Sequence, residues 1–197
     1  MLCTTGYNFL RNEIKRFKGN YLEIGIFDGD LISSLARENP NKNFYGIDPF
    51  IEDGHTSGIT KVLKGNTIVS QKQVALSKLD ELSNLKYYVE TSLEFLNKLT
   101  DEKCSELNVD IVLIDGSHWY NDVIIDSEIA LKLIKNKKGI IIFDDLHVPE
   151  VLKACDEFLN NHASIITKVT NTDRTEVNTN SKTNTLIVFV NGGELDA

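Results

Sequence analysis

Five short apolar runs alternate with helix-period segments, and each run carries a carboxylate inside it or at its end. The runs are Tyr21 to Gly25, Asn43 to Asp48, Lys86 to Glu90, Val109 to Asp115 and Gly139 to Asp144. Alternation of this kind predicts an α/β fold in which a parallel sheet is covered by helices on both faces. The uninterrupted runs Ile111 to Ile114 and Ile140 to Phe143 suit central strands, which have no solvent-facing side. Helices are expected at Leu31 to Glu38, Gln71 to Ser83, Leu93 to Leu99, Asn121 to Ile134 and Glu150 to Asn160. A first helix is expected within 1–18, where Phe9, Leu10, Ile14 and Phe17 recur at helical spacing.

The C-terminal part breaks the alternation. Ser164 to Val169 and Thr185 to Val190 read as strands with no helix between them. An antiparallel pair within 163–190 is therefore expected, joined by the polar stretch Thr170 to Asn184. The long connection 51–70, with three glycines and His55, reads as a lid or binding loop. With 197 residues, 41% of them hydrophobic, the chain suits a single domain over 1–197 built on one core.

The formal charge of −8 argues against nucleic acid as a partner, because phosphate binding needs clustered Lys and Arg; a small neutral or cationic ligand fits better. No run of about 18 or more uncharged apolar residues points to a membrane, and Met1 to Thr5 lacks signal-peptide character, so a cytoplasmic location is expected. Cys3, Cys104 and Cys155 are too few and too far apart for a disulfide framework or a metal cage, and read as free thiols.

In an open α/β sheet the ligand crevice lies beyond the carboxyl ends of the strands, so the five acidic ends are expected at one site. Glu23 with Gly25 and Gly29 closes the first strand in Tyr21-Leu22-Glu23-Ile24-Gly25-Ile26-Phe27-Asp28-Gly29. The spacing is not the G-x-G-x-x-G of a dinucleotide site. Asp48 is placed to accept hydrogen bonds from ribose hydroxyls. After the third strand, Thr91 and Ser92 can serve a ligand, cap the following helix, or both.

The first segment resembles motif I of class I S-adenosylmethionine-dependent methyltransferases. Ile114-Asp115-Gly116-Ser117-His118 followed by Gly139-Ile140-Ile141-Ile142-Phe143-Asp144-Asp145 resembles the paired motifs of metal-dependent O-methyltransferases, a family that includes macrolide-sugar enzymes and is related to catechol-type ones. The resemblance runs over residues 20–148. It implies a Rossmann-like doubly wound sheet and an S-adenosylmethionine site formed by Glu23, Gly25, Gly29, Asp48, Thr91, Ser92 and Asp115. It further implies a divalent cation on Asp115, Asp144 and Asp145, with His118 as general base for a small-molecule hydroxyl acceptor such as a sugar, polyketide or catechol-like diol.

Elementary chemistry agrees. Three neighbouring carboxylates repel unless protons or a cation neutralise them, and hard oxygen ligands suit Mg²⁺. A neutral imidazole can accept a proton near neutral pH. Leu31 and Ser117 depart from the family pattern, which has a small hydroxyl residue and a second acid there. His147 is a weaker candidate for substrate contact, and His55 weaker still. Trp119 and Tyr120 are expected to pack against the sheet, and Asp122, Asp126 and Glu128 to form a solvated helix face. Two alternatives stand beside this reading: a metal-independent methyltransferase, and a non-catalytic module that binds S-adenosylmethionine or a nucleotide. A homo-oligomer, with the first helix covering a neighbour's site, is also compatible with the pattern.

Overall fold

The structure is a computed structural model that describes residues 4–50, 62–64, 67–134, 136–175 and 182–192. The elements follow as α1 (Thr4–Arg16), β1 (Asn20–Ile24), α2 (Asp30–Glu38), β2 (Phe44–Ile47), β3 (Val62–Lys64), β4 (Thr67–Val69), α3 (Gln71–Leu79) and β5 (Leu85–Tyr88). They continue as α4 (Ser92–Lys98), α5 (Asp101–Leu107), β6 (Val109–Ile114), α6 (Tyr120–Ile134), β7 (Gly139–Phe143), α7 (Pro149–Asn161), β8 (Ile166–Thr175) and β9 (Lys182–Val190). Seven strands form one sheet in the order β5-β2-β1-β6-β7-β9-β8. The first five are parallel, and β9 pairs antiparallel with both β7 and β8. This is the expected mostly parallel sheet closed by an antiparallel pair.

The apolar runs of β6 and β7 are continuous because both faces are covered. Val112, Ile114, Ile141 and Phe143 pack on one side with residues of α4, α6 and α7. Ile111, Leu113, Ile140 and Ile142 pack on the other with residues of α1, α2 and α3. From β1 the chain runs outward to β2 and β5; from β6 it runs the other way to β7. Strand order therefore reverses between β1 and β6, and a crevice opens beyond their carboxyl ends.

Several elements depart from the sequence expectations. β8 and β9 reach into the stretch read as a polar connection, with pairs from Thr170↔Ile187 to Thr175↔Lys182, because Thr is at home on a pleated ladder. Residues 176–181 lie outside the described residues. The segment read as a lid contains the hairpin of β3 and β4, while 51–61, with His55, and 65–66 lie outside the described residues, as does Cys3. α5 was not expected, although Thr100 caps it by accepting from the Lys103 amide, and Asp101 and Glu102 fill its first turn, a readable start signal.

The largest correction concerns Asp126. It was placed on a solvated face, yet it is 1% exposed on the inner stripe of α6 and accepts a hydrogen bond from the Ser92 hydroxyl, while its Oδ1 has no donor. Burial, with a smaller push from Asp122, raises its pKa from 3.8 to about 7 against the Ser92 bond. The folded chain thus keeps a proton that the unfolded chain loses above about pH 4. Stability falls as pH rises through about 7, by roughly 4 kcal/mol at most. Asp126→Asn keeps the acceptor for Ser92 and removes the charge. Thermal melts should show the variant gaining on the parent as pH rises from about 4 to about 7, and most stable relative to it at pH 8. Equal differences at the two ends of that range would contradict an ionising Asp126.

Candidate active site

The turn after β1 is shaped by three features that act together. Gly25 adopts φ 92 and lies against the end of β6: a Cβ there would sit 2.2 Å from the Asp115 carbonyl oxygen and 2.6 Å from Gly116 Cα. Such an approach and such a φ leave room only for glycine. Phe27 takes a left-handed φ of 53, which is uncommon for a bulky side chain. Asp48, just past β2, holds that conformation, since its Oδ2 accepts from the Ile26 and Phe27 amides at 2.9 and 3.0 Å. Its Oδ1 accepts from the Phe50 amide at 2.7 Å. Of the roughly four lone-pair directions of a carboxylate, three are therefore occupied by backbone. Gly29, at φ 77, caps α2.

Gly25, Ile26 and Phe27, but neither Gly29 nor Asp48, border a cavity of about 580 Å³ at the switch point, a size suited to a small-molecule ligand. Glu23, Gly25, Phe27, Asp115, Gly116, His118 and Asp145 line it, together with Tyr7 from α1 and Asp28, Asp30 and Leu31 from the start of α2. Glu23 is 2% exposed and accepts from the Tyr21 hydroxyl at 2.9 Å. Burial lifts its pKa well above the carboxylate range despite that bond, and Asp115 and Asp48 add to the lift. Asp115 is pushed up to about 7, first by burial and then by the charge of Asp144. Burial thus favours the neutral form of two carboxyls in the wall, and a bound cationic group would favour the charged form.

His118 faces the same cavity and is half-exposed. Its Nε2 lies 2.9 Å from Asp145 Oδ2. That bond, outweighing partial burial, raises the imidazole pKa and lowers that of Asp145. His147 Nδ1 stands 3.5 Å from the other oxygen of Asp145. Asp145 itself has φ 59, a strained backbone of the kind found at functional sites. The pair is an acid-oriented imidazole of increased proton affinity, open to a ligand.

The other expected site residues are placed differently. Asp144 is 3% exposed, and its Oδ1 accepts from Thr185 of β9 at 2.7 Å; its Oδ2 has no donor. Thr185 was not singled out from the sequence, because its place beside Asp144 depends on the pairing of β9 with β7. Thr91 forms a capping box with Glu94 at the start of α4, and Ser92 is turned to Asp126; neither lines the cavity. Glu90 is separated from the other acidic ends: it pairs with Lys98 and borders a second cavity of about 420 Å³ at the β5 edge. Among the described residues, no group of three or more His, Cys, Asp or Glu side chains is arranged to hold a metal ion. The expected cation site on Asp115, Asp144 and Asp145 is therefore not shown; as placed, Asp145 faces His118. Also among the described residues, no helix is long and apolar enough to cross a membrane.

Comparison with known proteins accords with this geometry. A family model described as a methyltransferase domain matches residues 22–146. An uncharacterised protein of Acanthamoeba polyphaga mimivirus is 30% identical over 154 residues, covering 76% of this chain and 63% of that protein. The tRNA (guanine-N(7)-)-methyltransferase of Aquifex aeolicus is 42% identical over 48 residues, 24% of this chain and 16% of that one. The chain thus spans less than two thirds of either curated relative.

Among solved structures, a protein of Staphylococcus aureus provisionally assigned as a caffeoyl-CoA O-methyltransferase superposes with a TM-score of 0.63 at 15% identity, over 95% of this chain and 84% of that one. The N-methyltransferase NodS from Bradyrhizobium japonicum, in complex with S-adenosyl-L-homocysteine, gives 0.58 at 13% identity, over 93% and 84%. At these identities the likeness is one of fold. With the family model covering the sheet from β1 to the turn after β7, this chain belongs to the class I S-adenosylmethionine-dependent methyltransferases.

Proposed function

We propose that the protein transfers a methyl group from S-adenosylmethionine to a hydroxyl of a small molecule, with His118 as the general base. The observation that supports this most is the His118–Asp145 pair at 2.9 Å on the wall of the cavity that also presents Glu23, Gly25 and Asp115. A sulfonium is a ready methyl donor, so the protein's tasks are to align donor and acceptor and to take the acceptor proton. The half-exposed His118 can reach a hydroxyl, and Asp145 stabilises the imidazolium that results. A binding module without catalysis would have no use for such a pair.

A cation-assisted form of the same reading is favoured by one feature, the buried Asp144 Oδ2 without a donor, whose charge also raises the pKa of Asp115. Mg²⁺ held by Asp115, Asp144 and Asp145 would lower the pKa of the acceptor hydroxyl, but Asp145 would first have to leave His118. Radiolabelled methyl transfer to neutral vicinal diols, run with added Mg²⁺ and with EDTA, separates the forms. Activity that stays within about threefold after EDTA, under 1 kcal/mol of barrier, would favour the cation-free form. A loss of about a hundredfold, restored by Mg²⁺, would establish the cation-assisted form. No transfer to any hydroxyl while S-adenosylmethionine binds would remove the O-methylation reading and leave the binding module.

A further inference from the structure

Glu23, Asp28, Asp30, Asp115 and Asp145 border the large cavity, and no Lys or Arg lines it among the described residues. Burial favours the neutral form of Glu23 and Asp115, and His118 faces Asp145. Asp28 and Asp30, in the turn that leads into α2, are met instead by Lys78 of α3, which does not itself line the cavity. Its Nζ stands 2.7 Å from Asp30 Oδ1 and 3.7 Å from Asp28 Oδ2, and it donates to the Asp28 carbonyl at 2.9 Å. The bond to Lys78, outweighing burial, lowers the Asp30 pKa.

The place of that ammonium is fixed by packing. α3 starts at a capping box between Ser70 and Gln73, and its Ala75 and Leu79 are buried. A Cβ at Gly29 would lie 3.3 Å from Leu79 Cδ2 and 3.5 Å from Ala75 Cα, so the helix rests directly on the turn. The Asp28 carboxylate is held as well, because its Oδ1 accepts from the Asp30 amide at 3.1 Å. Ion pairs that meet solvent add little to stability. Beside a ligand cavity, the same pairs set the charge of the wall.

S-adenosylmethionine brings a sulfonium, an ammonium and one carboxylate into this acidic cavity. The two cations are favoured there, while the carboxylate is opposed wherever a wall acid keeps its charge. The start of α2 lends an anion the positive end of the helix dipole. Asp28 and Asp30 would cancel that benefit if both stood unpaired. With Lys78 the three side chains carry a net charge of −1 instead of −2. We propose that Lys78 is a positioning residue for the cofactor: by fastening Asp28 and Asp30 and offsetting their charge, it lets the carboxylate of S-adenosylmethionine lie at the start of α2. The proposal rests on membership of the methyltransferase class and is independent of the hydroxyl acceptor and of His118.

The test is a charge series on the full chain, read by titration calorimetry with S-adenosylhomocysteine and with its decarboxylated analogue. Low ionic strength is used, where such charges are least screened. Both ligands carry the adenosine and the ammonium, so the ratio of their Kd values isolates the carboxylate. Lys78→Gln keeps a donor for the turn and takes its charge to −2. The Kd of S-adenosylhomocysteine relative to the analogue should then rise about fivefold. Asp30→Asn takes the charge to 0, and the ratio should fall about threefold. Lys78→Arg preserves the charge and should preserve the parent ratio. A ratio that stays flat across the series, with both ligands weakened alike in Lys78→Gln, would mean that Lys78 only fastens the turn, and overturns the proposal. So does a ratio that falls in Lys78→Gln. If that variant does not fold, Asp30→Asn decides, since Asp30 is 61% exposed and its change leaves Lys78 on Asp28. A parent that binds neither ligand would remove the cofactor assignment itself, and the role of Lys78 with it.

Discussion

His118→Ala is expected to lower methyl transfer by about 10²–10⁴-fold while leaving S-adenosylmethionine affinity within about threefold. The split follows from the location of the imidazole. It shares the cavity with Glu23 and Gly25, but its ordered partner is Asp145, so its removal takes away a proton acceptor and leaves the strand ends of β1 and β6 intact. His118→Gln fills similar volume without a comparable basicity and should be as slow as the alanine variant. Asp145→Asn should retain part of the activity, because the imidazole survives while its orienting charge is lost. Single-turnover rates together with calorimetric affinity would decide the matter. A His118→Ala enzyme within threefold of the parent rate would leave the base unassigned and move attention to Asp115 or Asp145.

The fold was legible because burial on both sides of a parallel strand writes itself as an uninterrupted apolar run. Ile111 to Ile114 and Ile140 to Phe143 could hardly be anything but central strands, and β6 and β7 are central. The crevice was legible for a related reason, since acids at the ends of apolar strands have few other places to go. What stayed hidden depends on neighbours that sequence spacing does not identify. Thr185 reaches Asp144 through the register of β9 against β7. Asp145 turns to His118 through a left-handed backbone that no local pattern announces. Glu90 ended a strand like the others, but β5 is the sheet edge, displaced from the switch point.

Asp126 is a different case. Val123, Asp126, Ser127, Ala130 and Leu133 are buried together at helical spacing. The phase of α6 thus placed this acid on the inner stripe, and attention to phase over charge would have found it. Trp119, 70% exposed, shows the converse error: size suggested burial, while its position in the turn between Asp115 and α6 decided exposure.

The second large effect is expected from the smallest side-chain change, Gly25→Ala. The added methyl would sit 2.2 Å from the Asp115 carbonyl oxygen and 2.6 Å from both Asp115 C and Gly116 Cα, at a φ of 92. All three are backbone atoms of a strand end tied to β1 by the Asp115 amide donating to the Ile24 carbonyl at 2.9 Å, so they cannot yield separately. Relief requires β1 and β6 to part where the cavity is built. A destabilisation of about 3–5 kcal/mol is expected, seen as a fall in Tm of roughly 10 °C or more, with S-adenosylhomocysteine binding lost even below the new Tm. Gly29→Ala provides the contrast: it shares a positive φ of 77, but its Cβ would first meet the end of the Leu79 side chain at 3.3 Å. That contact can give way, so only the backbone strain of about 1–2 kcal/mol should appear. If the two variants melted together and both bound S-adenosylhomocysteine, the contact between the first turn and Asp115 would not be what shapes the cofactor wall.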